Sequence, residues 1–354
     1  MVRNFGLDLV RTVSIWLVLM QHARINIPGL APLRIGLVGV EFFFVLSGLL
    51  IGSLLFKTFE SHEFKGPIVK EFWARRWLRT LPLYYSVLLF RFFFIENNVG
   101  ANIGWYLVFL QNNFYGVSFF DVSWSLVIEE WFYLLAPLPL LLLFRFKNKS
   151  AVPAGISVFI FFILAARMLM VVLRDTPYEG LNSQFFLRFD ALFLGVLLAW
   201  IKRYAASVWN ILTSKRTALL GTLLFFGYLV YYWTISSNPA ATINATFFPR
   251  TIGFTLLPFT IAMMIPWFST VTTSNIAVLQ IVTQTSILTY GLYLIHPMCF
   301  DLVFHHTENL PKIVVLFVAS GLAYFFAYLA YRLIELPMLS LRDRYFPASY
   351  RRVF

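Results

Sequence analysis

Charge is scarce in this chain. Of its 354 residues 12% are Asp, Glu, Lys or Arg and 60% are hydrophobic. Soluble domains carry about 25% charged residues, so a water-soluble globule is excluded. Cysteine is nearly absent as well: Cys299 stands alone, which rules out an internal disulfide. No low-complexity linker, convincing internal repeat or room for a sizeable soluble domain is found. The first apolar run is broken by Asp8 and Arg11 and has no clear small-residue cleavage site, so it is read as a retained span and not as a cleaved signal.

What is abundant is apolar sequence in blocks. A membrane-spanning helix needs about 20 mostly apolar residues. Such runs fall near 5–26, 35–56, 80–95, 123–144, 152–173, 185–201, 216–234, 251–269, 286–303 and 312–334. The expectation is an all-α, polytopic transmembrane helix bundle of about ten spans, with membrane lipid around it. The stretch from Trp105 to Phe114 is a candidate for an additional short or re-entrant element. The net charge of +12 raises nucleic acid as a partner, but Lys and Arg are scattered between apolar blocks and form no water-exposed basic surface. No nucleic acid is expected. Most of the 28 Lys and Arg fall in alternate loops, including Lys57 to Arg79, Lys202 to Arg216 and Arg342 to Arg352, while Gly100 to Asp121 has none. By the positive-inside rule both termini are expected in the cytoplasm.

The first run carries Asp8, Arg11 and His22. At about 100° per residue, the eleven-residue step from Arg11 to His22 leaves roughly 20° after three turns, and the rise is about 16 Å. Both side chains therefore share a helix face. Asp8 lies one turn before Arg11 and can pair with it. Ionisable groups inside a span are costly and point to function. The plainer alternative has Arg11 snorkelling to the interface and His22 bridging helices. Imidazole is also the side chain suited to proton exchange near neutral pH.

Further motifs follow in order. They are Gly39-Val40-Glu41-Phe42-Phe43-Phe44-Val45-Leu46-Ser47-Gly48, Arg76 and Arg79 in Arg75-Arg76-Trp77-Leu78-Arg79, and Trp124-Ser125-Leu126-Val127-Ile128-Glu129-Glu130. Later come Arg188-Phe189-Asp190-Ala191-Leu192, Tyr293-Leu294-Ile295-His296-Pro297 and Glu335-Leu336-Pro337. Together with Arg11-x10-His22 they resemble the acyltransferase 3 family, polytopic bacterial membrane proteins that acylate sugars and other acceptors. The likeness runs from residue 6 to about 337. Two positions depart from the family pattern: Glu41 stands where Asp is frequent, and Leu336 where a basic residue is common. On this resemblance residues 1–340 are expected to form the membrane acyltransferase domain and 341–354 a basic cytoplasmic tail.

The resemblance implies an O-acyltransferase of the bacterial cytoplasmic (inner) membrane. It would move an acyl group, acetyl first among them, from acyl-coenzyme A to a hydroxyl of an envelope or exported glycan or glycolipid. His22 is the expected base, and a histidine-bound acyl group is the open alternative. Glu129 is the second catalytic candidate, with pairing to an arginine, orienting His22 and hydrogen-bonding the acceptor all open. Arg11, Arg76 and Arg79 are the expected contacts of acetyl-coenzyme A, although ordinary positive-inside charge explains Arg76 and Arg79 equally well. Asp8, Glu41, Ser47, Trp124 and Ser125 are expected to support the site. For Glu41 and Glu129 a structural ion pair is the plain alternative, and for Ser47 close helix packing. Arg188, Asp190 and Glu335 are expected in ion pairs or helix-end contacts, and His296 on a carbonyl freed by Pro297. His305, His306 and Glu308 lack a second ligand cluster, so no metal is assigned. Two other classes fit parts of the pattern. A proton-coupled transporter could use Asp8, His22, Glu41 and Glu129 as a relay, and an inactive homologue could serve as a binding module.

Overall fold

The computed structural model describes residues 3–23, 34–61, 67–96, 99–114, 118–145, 150–237, 242–306 and 311–347. Among them there are helices and no strands. The first part of the chain forms α1 (Phe5–His22), α2 (Ile35–Ser61) and α3 (Pro67–Phe94). Two short helices, α4 (Ile103–Leu107) and α5 (Gln111–Phe114), lead into α6 (Ser123–Leu135) and α7 (Pro137–Arg145). Then come α8 (Ala151–Arg174), α9 (Tyr178–Ser183), α10 (Phe189–Tyr204), α11 (Ala206–Leu212) and α12 (Lys215–Ser236). The last group is α13 (Phe247–Arg250), α14 (Ile252–Phe268), α15 (Ile276–His306), α16 (Lys312–Ala330) and α17 (Leu336–Tyr345).

The described residues of the ten apolar runs fall mainly on helix, residues 24–26 of the first run lying outside the described residues, and Trp105 to Phe114 covers part of α4 and all of α5. Six helical stretches are long and apolar enough to cross a membrane: Ile35–Glu60, Ser123–Phe144, Ala151–Arg174, Lys215–Ser236, Ile276–His306 and Lys312–Tyr345. The helix Ile252–Phe268 is apolar but shorter. The remaining runs are limited by length or by charge: α10 has 16 residues, and α1 and α3 carry ionised side chains within their turns. The chain is therefore a multi-pass helical membrane protein. Its outer helices turn Phe161, Phe162, Val172, Leu223, Phe226 and Phe317 outward, more than half exposed, where lipid replaces water as the solvent.

Local sequence explains where α1 begins and how it is held. Asn4 caps it, its side chain accepting from the Leu7 amide at 3.0 Å, and Asp8 places an anion in the first turn. The helix packs between α2 and α15. The tightest junction is α2 against α10, and glycine makes it possible. A Cβ on Gly48 would fall 1.9 Å from the Leu192 carbonyl oxygen, and one on Gly195 would fall 2.1 Å from that of Val45. Backbone meets backbone here, as small residues permit between membrane helices. Gly48→Ala is expected to lower stability by about 1–3 kcal/mol, the range for overpacking. The check is the melting midpoint of the detergent-solubilised protein, and an unshifted midpoint would show that this junction is looser than drawn.

Candidate active site

Asp8 organises the near end of α1. Its carboxylate accepts from Arg3 at 2.8 and 2.9 Å, from the Ser286 hydroxyl at 2.8 Å and from Arg11 at 3.2 Å. The expected pairing of Asp8 with Arg11 is present. Arg3 and Ser286, which the helix wheel gave no reason to include, complete the shell. Asp8 is buried, and this set of donors offsets the cost of burying its charge.

Arg11 points into a cavity of about 660 Å³, within the roughly 300–1,000 Å³ range of ligand pockets. Its lining includes seven cations, Arg3, Arg11, Arg75, Arg76, Arg79, Lys202 and Arg342, against three carboxylates, Asp8, Glu71 and Glu129. The expected donor-side arginines thus meet in one space. Arg342, placed by sequence in the basic tail, lines it too, and its neighbour Asp343 pairs with Arg75 at 3.1 Å. Residues 348–354 of that tail lie outside the described residues. Within the cavity Arg76 donates to the Tyr133 hydroxyl at 2.6 Å, and Tyr133 donates to Glu129 at 2.7 Å. The other Glu129 oxygen accepts from Ser47 at 3.0 Å, and Arg76 lies 3.7 Å from the carboxylate. Ser47, Arg76 and Glu129 come from α2, α3 and α6. Tyr133, one turn after Glu129 on α6, links Arg76 to the carboxylate. The Arg76 Nε is buried without a hydrogen-bond partner.

The inner end of the cavity is formed by Ser125 and Tyr293, whose hydroxyl oxygens are 2.6 Å apart. His22 lies beyond them. Its ring meets the His296 ring edge to face, with centroids 4.4 Å apart, and His296 follows Tyr293 by three residues on α15. The His22 Nδ1 is 3.0 Å from the Val18 carbonyl. A carbonyl can only accept, so Nδ1 carries the hydrogen and Nε2 is the bare, basic nitrogen. That Nε2 faces the Asp121 carboxylate at 3.9 Å. Asp121 is held by its other oxygen, which accepts from the Val122 amide at 2.8 Å.

Glu129 and His22 therefore occupy different parts of the protein. The carboxylate beside His22 is Asp121, which sequence reasoning passed over. Its signal was a lone carboxylate just ahead of the Trp124 to Glu129 motif, and it stands in the turn before α6. His296 Nδ1 lies 2.9 Å from the Leu292 carbonyl. Proline at 297 removes the donor for the next carbonyl, that of Tyr293, and this freed carbonyl also interacts with the His296 ring. The His296 Nε2 is buried and without a partner.

Other expected residues are placed as follows. Glu41 is buried and paired with Arg188, the structural ion pair that was its plain alternative, and neither residue lines this cavity. Asp190 pairs with Arg167 at 2.5 Å and accepts from Thr255 at 2.7 Å, so Arg188 and Asp190 have separate partners. Trp124 packs edge to face on Phe44 at 6.1 Å and fills core space. Glu335 closes the π-helical turn Tyr331–Glu335, which runs directly into α17. His305 and His306 stand side by side near the end of α15, and Glu308 lies outside the described residues.

A helical membrane protein with an arginine-lined cavity, and an imidazole at the far end of the helix that carries one of those arginines, has the parts of a membrane acyl-transfer enzyme. The chain belongs to the acyltransferase 3 family: residues 4–332 match the profile of that acyltransferase domain. It is 27% identical over 395 aligned positions to a Staphylococcus aureus (strain MRSA252) protein named "Putative O-acetyltransferase SAR0937", covering 98% of this chain and 60% of that protein. It is 32% identical over 221 positions to the S. aureus (strain NCTC 8325 / PS 47) O-acetyltransferase OatA, covering 55% of this chain and 34% of OatA. An uncharacterised Haemophilus influenzae protein is 29% identical over 219 positions, 54% of this chain and 86% of its own length. The chain thus spans about three fifths of the length of the S. aureus relative it matches end to end. No solved structure matches it.

Proposed function

We propose that this protein is an O-acetyltransferase that takes the acetyl group of cytoplasmic acetyl-coenzyme A and esterifies a hydroxyl of an envelope or exported glycan or glycolipid. The observation that carries the reading is the cation-lined cavity that Arg11, Arg76 and Arg79 share, whose lining includes Ser125, four residues after the Asp121 that faces His22. Coenzyme A is anionic at its nucleotide end, and guanidinium groups grip phosphate through paired N–H donors. The pantetheine arm then follows α1 from Arg11 toward His22, about 16 Å along the axis. At that end the acceptor hydroxyl gives its proton to His22 Nε2 as its oxygen attacks the thioester carbon. The C–O bond forms, the C–S bond breaks, and the thiolate takes a proton from the imidazolium. In this reading the protein crosses the bacterial inner membrane about ten times, both termini are cytoplasmic, and the acceptor comes to the outer end of α1. The relatives' names and the family support acetyl transfer over the proton-coupled transporter.

The test is transfer of labelled acetyl from acetyl-coenzyme A by the purified protein to glycans of its host envelope, read by mass spectrometry. Absence of both coenzyme A binding and label transfer overturns the reading. Arg79→Ala is the cleaner probe of donor binding, since Arg76 also holds Tyr133. Losing one charge-assisted hydrogen bond costs about 1.5–3 kcal/mol, or about ten- to a hundredfold in affinity. Arg79→Ala is expected to raise the donor KM in that range, with kcat at saturating donor changed less than threefold. An unchanged KM would take Arg79 out of the donor site.

A further inference from the structure

The residues that end the cavity have chemistry of their own. The Tyr293 hydroxyl donates to the Val122 carbonyl at 3.0 Å, the Ser125 hydroxyl donates to the same carbonyl at 3.4 Å, and the two hydroxyl oxygens are 2.6 Å apart. Two O–H protons thus share one carbonyl acceptor. Whichever hydroxyl serves Val122, the other proton lies between the two oxygens, and it is the one that an oxygen arriving from the cavity can accept. Ser125 already reaches Val122, so Tyr293 can be released to a ligand without leaving that carbonyl bare.

Position makes this hydroxyl pair more than a packing contact. Ser125 stands four residues after Asp121 on the α6 side, and Tyr293 three residues before His296 on α15. On α15 that three-residue step is about 4.5 Å along the axis, and Asp121 lies in the turn just ahead of α6, so the hydroxyl pair neighbours the His22, His296 and Asp121 group on both elements. The hydroxyls line the donor cavity and His22 lies just past them. A thioester extending from the cavity toward His22 has to pass its carbonyl beside Tyr293.

The geometry points to Tyr293 as the oxyanion donor of the acyl transfer, with Ser125 as the positioning residue that frees its proton. This inference rests on the acetyl-transfer reading above. When the acceptor oxygen bonds to the thioester carbon, the carbonyl electron pair moves onto oxygen. The Tyr293 O–H donates a hydrogen bond to that oxyanion and keeps its proton, and collapse expels the thiolate. A donor already in place pays no reorganisation cost as the charge develops.

Steady-state kinetics of the full-length protein with labelled acetyl-coenzyme A test the assignment. Tyr293→Phe is expected to lower kcat by about a hundred- to a thousandfold, the loss typical of one oxyanion donor, while the donor KM stays within threefold. Ser125→Ala leaves Tyr293 committed to Val122 and is expected to lower kcat by about tenfold, with Ser125→Thr, which keeps the hydroxyl, within threefold of wild type. A purely structural role would not separate Ala from Thr in this way. If Tyr293→Phe does not fold, the two Ser125 variants still decide the matter. Wild-type kcat in Tyr293→Phe, or equal kcat in Ser125→Ala and Ser125→Thr, overturns the inference. Label transfer by wild type with none by His22→Ala would then leave the acetyl-transfer reading standing, whereas no transfer by wild type would remove that reading first.

Discussion

His22→Ala should abolish acetyl transfer while leaving donor binding intact. The expected loss in kcat is about a thousand- to ten-thousandfold, at the upper end of what general base catalysis contributes. The argument starts from the hydrogen bond of the other ring nitrogen. With Nδ1 donating to the Val18 carbonyl at 3.0 Å, the lone pair is fixed on Nε2, which faces Asp121. Once Nε2 takes the acceptor's proton, the imidazolium gains the neighbouring carboxylate as counter-charge. Asp121→Asn keeps the shape and removes that charge, so it is expected to lower kcat by less than His22→Ala. The arginines of the cavity do not touch His22, so isothermal titration with coenzyme A should give the same affinity for His22→Ala and wild type. Turnover by His22→Ala within tenfold of wild type, at equal amounts of purified protein, would remove His22 as the base. Loss of coenzyme A binding in the same variant would show that His22 belongs to the donor site instead.

Patterns that repeat along the chain were legible. Hydrophobic blocks located the main helices among the described residues, and helical phase paired Asp8 with Arg11 at 3.2 Å. Phase works here because both residues lie on one rigid helix, where spacing alone sets the angle. What it cannot supply is the partner from another helix. Asp121 meets His22, and Tyr133 stands between Arg76 and Glu129, through tertiary packing that no local period encodes. Of the roles open to Glu129 in the sequence, pairing with an arginine is the one the fold brings about, since α6 turns it toward Arg76 and Ser47, one turn on from Ser125. Six stretches are long and apolar enough to span where the sequence has ten apolar runs, for a related reason. A helix such as α10 can be fully helical and largely buried with 16 residues, because neighbouring helices, and not lipid, cover it. Arg167 is the instructive omission: a lone arginine inside the apolar run 152–173 carried the same signal as Arg11, and it proves to be wholly buried against Asp190.

That second buried network leads to the largest expected stability effect. Arg188 and Glu41 pair at 0% and 1% side-chain exposure, joining the start of α10 to α2 near the Gly48 and Gly195 junction. Removing one partner of such a pair leaves an uncompensated buried charge, which costs about 3–5 kcal/mol. Arg188→Ala is therefore expected to lower the unfolding free energy in detergent by that amount and to loosen the α2 and α10 contact. The pair is not fully satisfied, however: Glu41 Oε2 and Arg188 Nε and Nη1 have no hydrogen-bond partners. An ion pair with idle donors and acceptors in an apolar interior has not recovered its desolvation cost. Glu41→Leu combined with Arg188→Met should consequently be more stable than Arg188→Ala alone and within about 1 kcal/mol of wild type. Denaturant titration of the two variants beside wild type decides it. If Arg188→Ala loses less than about 1 kcal/mol, water reaches Glu41 and the pair is not the buried tie between α2 and α10. If the apolar double variant is as unstable as the single one, the charges themselves, and not the filling of that space, hold the two helices together.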